Sequence, residues 1–254
     1  MTNTDKSQLT ANRGERRSGG ARTTPHSQIP APYRGTAATP QSPEHRLLAA
    51  RGLRKSYWRG IWPKRREVEV LRGADVELGP GEIIGLVGEN GSGKSTLLKI
   101  LVGTLERDAG EIDRPTRLGY CPQEPVLYER LTCDEHFDLF GRAYGVSDEE
   151  VRARSAELYR VLNFGSYADV RVDELSGGTQ AKLNLALALL PRPEVLLLDE
   201  PYAGFDWDTY LRFWDLAEEQ RNEGRAILII SHFLTDEDRF DRIYDLIDGV
   251  TVAR

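Results

Sequence analysis

Nowhere in its 254 residues does the chain carry an apolar run approaching the 18 or more residues of a membrane-crossing helix. Apolar runs such as Val195–Leu198 and Ala226–Ile230 have the length of buried strands. The polypeptide is therefore expected to form no membrane path by itself. Cysteine is scarce: Cys121 and Cys133 show neither Cys-x-x-Cys spacing nor a metal pattern, which fits packing residues in a reducing cytosol. No apolar stretch follows the N-terminal charges, so the leader does not read as a secretory signal. No internal repeat is visible. Beyond residue 50, positive charge is short. Residues 1–50 hold seven Lys/Arg and three acids, a net +4, so a chain of net charge −6 carries −10 over the remainder. A region that acidic argues against a general nucleic-acid binder.

What is present divides the chain in two. Residues 1–45 are rich in Thr, Ser, Gly, Pro, Ala and Arg and lack hydrophobic periodicity. They read as a disordered basic tail, because such a segment buries too little apolar surface to offset its ordering entropy. Residues 46–254 suffice for one α/β domain with subdomains. Val68–Leu71 and Ala74–Leu78 read as strands before a Gly79-Pro80-Gly81 turn. Glu82–Val87 reads as a strand, Ser95–Val102 as a helix, and Glu111–Ile112 and Arg117–Tyr120 as short strands. From Asp134 to about Tyr167 the pattern is helical, with Phe137, Phe140 and Tyr144 spaced i, i+3, i+7. Val195–Asp199 and Ala226–Ser231 read as core parallel strands flanking a helix over Thr209–Asn222. The chain stops at Arg254 after a strand-like Val250–Ala253, so no appended regulatory domain is expected.

Between strand and helix lies Gly88-Glu89-Asn90-Gly91-Ser92-Gly93-Lys94-Ser95-Thr96, a match to G-x-x-x-x-G-K-[ST] in the context that motif requires. The glycines let the backbone approach phosphate oxygens. Lys94 supplies a point charge for β- and γ-phosphates, Ser95 a hydroxyl for Mg²⁺, and the helix its positive end. Asp199 ends an apolar strand and Glu200 follows it, at the strand end where open α/β sheets bind ligands. Leu175-Ser176-Gly177-Gly178-Thr179-Gln180 opens a helix-forming stretch, Ala181–Leu190, with Ser176 placed to cap it.

The phosphate loop and Leu175–Gln180, in this order, resemble the ATP-binding subunits of ABC transporters over residues 46–254. The resemblance implies a P-loop NTPase core with a parallel sheet, an antiparallel β subdomain, and a helical subdomain over about 125–172. It makes Asp199 the Walker B aspartate, a ligand of Mg²⁺ with Ser95 and Gln123, and Glu200 the base that polarises the attacking water. Gln123 matches the Q-loop glutamine, His232 the switch histidine that contacts the γ-phosphate, and Asp206 the D-loop aspartate, with Phe205 where leucine is usual. Tyr57 resembles the aromatic that stacks on adenine. Trp58 is the fallback, because the segment from Trp58 to Glu67 is longer than the family's. Ser176, Gly177, Gly178 and Gln180 match the signature, which receives the γ-phosphate held by a partner's loop in a head-to-tail dimer.

The implied function is ATP hydrolysis powering transport through a separate integral membrane permease, in the style of ABC-2 type exporters. The chain would then sit in the cytoplasm, peripheral on the inner face of the membrane. Phe137, Phe140 and Tyr144 are candidates for the groove that receives a permease helix, with core packing as the alternative. A soluble ABC ATPase that remodels macromolecular complexes is the other functional class. Those usually carry two cassettes or a long coiled-coil insertion, and neither is present. A regulatory module without turnover is disfavoured by Glu200 and His232.

Overall fold

The computed structural model describes residues 46–231 and 237–254. The tail over 1–45 and His232 lie outside those residues. The described residues open with a long hairpin, β1 (Leu48–Arg59) and β2 (Arg66–Leu78), which pairs Tyr57 with Val68 and Trp58 with Glu67. The inserted segment is the tip of this hairpin, where Ile61 and Trp62 stand exposed. The buried strand β3 (Ile83–Val87) runs into α1 (Lys94–Val102) through the phosphate loop. Next comes β4 (Ala109–Asp113), which completes an antiparallel sheet in the order β2-β1-β4.

β5 (Leu118–Cys121) returns the chain to the main sheet, and two helices follow, α2 (Cys133–Tyr144) and α3 (Asp148–Val161). Both open with a capping box, Thr132 with Glu135 and Ser147 with Glu150, so each start satisfies its own orphan amides. The helical stretch read from Asp134 to Tyr167 is thus two helices, parted at Gly145. α4 (Gly177–Leu189) leads to β6 (Val195–Asp199), then α5 (Trp207–Asn222), β7 (Ala226–Ile230), β8 (Arg242–Ile247) and β9 (Val250–Ala253).

The main sheet has the order β5-β6-β7-β3-β8-β9, parallel except for the last pair. All residues of β6 and β7 are buried, as expected for parallel strands covered on both faces. One apolar cluster joins the antiparallel sheet, α1 and one face of the main sheet, while the other packs α2–α5 on the opposite face. Phe137 belongs to that second core at 1% exposure, so its groove reading is corrected: the i position of the Phe137–Phe140–Tyr144 stripe points inward. β9 ties the two sheets together, since Arg72 N donates to Gly249 O and Thr251 Oγ1 donates to Asp75 O.

Candidate nucleotide site

The loops leaving the C-terminal ends of β3, β5 and β6 converge on a cleft of about 710 Å³. Its lining includes Tyr57, Asn90, Gly91, Gly93, Lys94, Ser95, Thr96, Gln123, Asp199 and Glu200. The ligand crevice of an open parallel sheet lies here, beyond the strand ends.

In the phosphate loop, Gly88 has φ +155, and a Cβ there would meet Leu246 O at 2.6 Å and Ser92 Oγ at 2.8 Å. Only glycine lets the loop pass so close to β8. Ser92 Oγ is buried without a hydrogen-bond partner, and Ser92 lines a neighbouring hollow beside Leu246 and not the cleft itself. Lys94 is 6% exposed, and its Nζ donates to Gly88 O at 2.7 Å and Glu89 O at 3.0 Å. Burial lowers the Lys94 pKa, and the charges of Glu200 and Asp199 oppose that shift. An ammonium so desolvated gains from an added anion.

Glu200 takes a left-handed backbone conformation, φ 50, held by Glu200 N donating to Ile230 O and Ala203 N donating to Glu200 O. That turn leaves its carboxylate over the cleft, where Gln123 Nε2 donates to Glu200 Oε2 at 3.2 Å. Asp199, 4% exposed, closes β6 beside it. The charge of Asp199 and burial together push the Tyr120 phenol up to about 12, with burial the larger cause. Ser95, Asp199 and the Gln123 amide line the same cleft with hard oxygen donors, a set that fits Mg²⁺ completed by phosphate oxygens. Both Tyr57 and Trp58 line the cleft, and the Tyr57 hydroxyl lies 3.4 Å from Thr96 Oγ1. Arg59 and Val70 also line it and were not picked out from sequence; the pairing of β1 with β2 around Tyr57–Val68 is what would have found them.

The signature residues are not in the lining of this cleft. Ser176 caps α4, accepting from Thr179 N at 3.2 Å. Gly178 meets the loop after β6 so closely that a Cβ would lie 2.7 Å from Gly204 O. Gln180 donates to Val172 O and Leu175 O of its own chain, which braces the turn before α4. Asp206 caps α5 through Thr209 N, with Lys182 Nζ 3.7 Å from its Oδ2. Those amide and hydroxyl bonds from Thr209 hold the Asp206 carboxyl below its ordinary pKa. Phe205, half-buried, packs against the core.

A family model described as ABC transporter matches residues 71–203. The chain is 36% identical over 185 residues to the Nod factor export ATP-binding protein I of Paraburkholderia xenovorans, covering 68% of this chain and 61% of that protein. It is 28% identical to the linearmycin resistance ATP-binding protein LnrL of Bacillus subtilis, covering 82% and 68%. Several larger relatives are matched over much less of their length, such as 26% of a Dictyostelium discoideum ABC transporter G family member. Among solved structures, an ATP-binding subunit of an ABC transporter superposes with a TM-score of 0.74 at 29% identity, covering 82% of this chain and 89% of that one. A dimeric cassette bound to ADP and phosphate shares the fold at a TM-score of 0.73 and 24% identity, covering 82% and 97%. With the phosphate loop, the Asp199-Glu200 pair and the Ser176 helix in these positions, the chain belongs to the ABC transporter family and has the fold of its ATP-binding subunits.

Proposed function

We propose that the chain hydrolyses ATP in a site completed by a second ATP-binding domain, and that the cycle drives export through a separate membrane subunit. Each cleft lacks the signature of its own chain, and α4 offers the Ser176–Gly178 amides at a helix start where an anion is favoured. A head-to-tail partner would supply what each cleft lacks. Water attacks the γ-phosphorus in line, the bond to the bridging oxygen breaks, and Glu200 takes the proton. Lys94 and the loop amides hold the charge that develops on the phosphate, and His232 is assigned to the γ-phosphate from sequence. Ser95, Gln123 and Asp199 would hold Mg²⁺, which would neutralise phosphate charge.

The observation that carries the transport reading is an apolar groove of about 700 Å³ beside Gln123. Pro122, Val126, Phe140, Tyr144, Leu187 and Ala188 line it, and Val126 is 73% exposed. A surface of that shape suits an apolar helix from a membrane protein, and relatives named for export favour outward transport. The test is purification of the full chain from membranes in mild detergent, with and without Val126→Asp. A polytopic protein should co-purify with the native chain and be lost from the variant, while basal ATPase persists. Co-purification of a soluble complex instead would favour the remodelling ATPase.

A further inference from the structure

Asn184 stands in the apolar middle of α4, between Leu183 and Leu185, and is only 7% exposed. A buried amide there is costly unless it is bonded. Its Nδ2 donates to Pro122 O at 2.8 Å and lies 3.2 Å from Cys121 Sγ. Cys121 ends β5 and Pro122 follows it, directly before Gln123, whose amide donates to the Glu200 carboxylate. The proline ring holds φ of residue 122 near about −65°. The Asn184 bond holds the peptide plane that follows, and with it the direction in which Gln123 leaves the strand. The same α4 begins at Ser176, the half-site offered to a partner's nucleotide.

We propose that Asn184 is a positioning residue for ATP hydrolysis: it clamps the Pro122–Gln123 peptide to the signature helix and so holds the Gln123 amide at Glu200. The inference rests on the ATPase reading and on the part Gln123 plays in it. Asn184 joins the two halves of one subunit, the cleft that binds its own nucleotide and the helix that serves its partner's. Asn184 and Pro122 also line the apolar groove, so an occupant of the groove would bear on the same joint.

The test is a double-mutant cycle on the full chain. Asn184→Leu preserves the packed volume and removes the donor, and Asn184→Ala runs beside it in case leucine does not fold. Losing one buried hydrogen bond that acts only on the reacting geometry should lower kcat about tenfold. KM for MgATP should stay within about twofold, since nothing in the Lys94 loop is touched. In a Gln123→Ala background the same substitution should cost no further activity. A wild-type kcat in the Asn184 variants overturns the proposal. So does a loss that multiplies unchanged with Gln123→Ala, which would leave Gln123 in place and remove only Asn184. A fully active Gln123→Ala single variant would sink both at once.

Discussion

Glu200 holds a left-handed φ that costs a non-glycine residue on the order of 1–3 kcal/mol. Strain of that kind persists only where surrounding bonds over-determine it, and the Ile230 and Ala203 contacts do so here. The turn keeps the carboxylate over the cleft rather than along the strand. Glu200→Gln is nearly isosteric and should keep both the turn and the Gln123 contact while removing the base. Nucleotide affinity should therefore be retained and turnover should fall about a hundredfold or more. Paired measurements of nucleotide binding and phosphate release check this; wild-type hydrolysis would remove Glu200 from the base role. Most of this site was legible in the sequence because glycine spacing, a lysine and an acidic pair after an apolar run are local signals. Asn184 was not legible. A single asparagine inside a helix gains meaning only from a carbonyl 62 residues away in the chain.

Among elements, the segment between β5 and α2 is pinned by one side chain. His136 is fully buried, accepts from Tyr128 N at Nε2 (2.9 Å) and so donates from Nδ1 to Thr132 O (2.8 Å). Protonation would put two donors face to face at Tyr128. Burial lowers the His136 pKa below its ordinary 6.5, against smaller opposing contributions from the Thr132 carbonyl and Glu135. Between the lowered value and 6.5 the unfolded chain binds the extra proton, so stability rises with pH across that window. It is complete above 6.5 and is lost as pH falls, with a slope of at most about 1.4 kcal/mol per pH unit for one proton. His136→Gln should flatten this slope at a cost of about 1–3 kcal/mol, read from chemical denaturation between pH 5 and 7.5. An unchanged slope in the variant would rule His136 out as its source.

Element boundaries were legible where one period ran unbroken, as in β6, β7 and α1. β1 escaped notice because an extra residue between Ala50 and Leu53 breaks its two-residue alternation. The two later shifts, between Leu53 and Arg54 and between Lys55 and Ser56, put the extra residue in β2. The aromatic stripe of α2 left core and groove open for a different reason. Phe137 lies on the core face while Phe140 and Tyr144 turn toward the groove, a distinction set by where α3 and α4 pack.

At the scale of the whole molecule, the proposed placement of Lys94 and Ser176 in opposite half-sites makes a sharp prediction. Lys94→Ala and Ser176→Arg should each be inactive alone, because both sites of either homodimer are damaged. In a mixed dimer one site collects both lesions and the other pairs an intact loop with an intact helix. Mixing the two with MgATP should restore occlusion of one nucleotide per heterodimer, measured by filter retention of labelled ATP. Heterodimers that occlude nothing would overturn the head-to-tail arrangement. The sheet order has a separate consequence, for how the chain acquires its fold. β3 carries the phosphate loop and emerges early, yet its two neighbours are β7 and β8, with Ile83 paired to Ile227 and Ile84 to Arg242. During synthesis that apolar strand waits with both edges bare until most of the chain is made. Such late, non-local pairing slows folding and exposes the nascent chain to edge-to-edge aggregation. The strand that anchors the phosphate loop is thus among the last parts of the core to be secured.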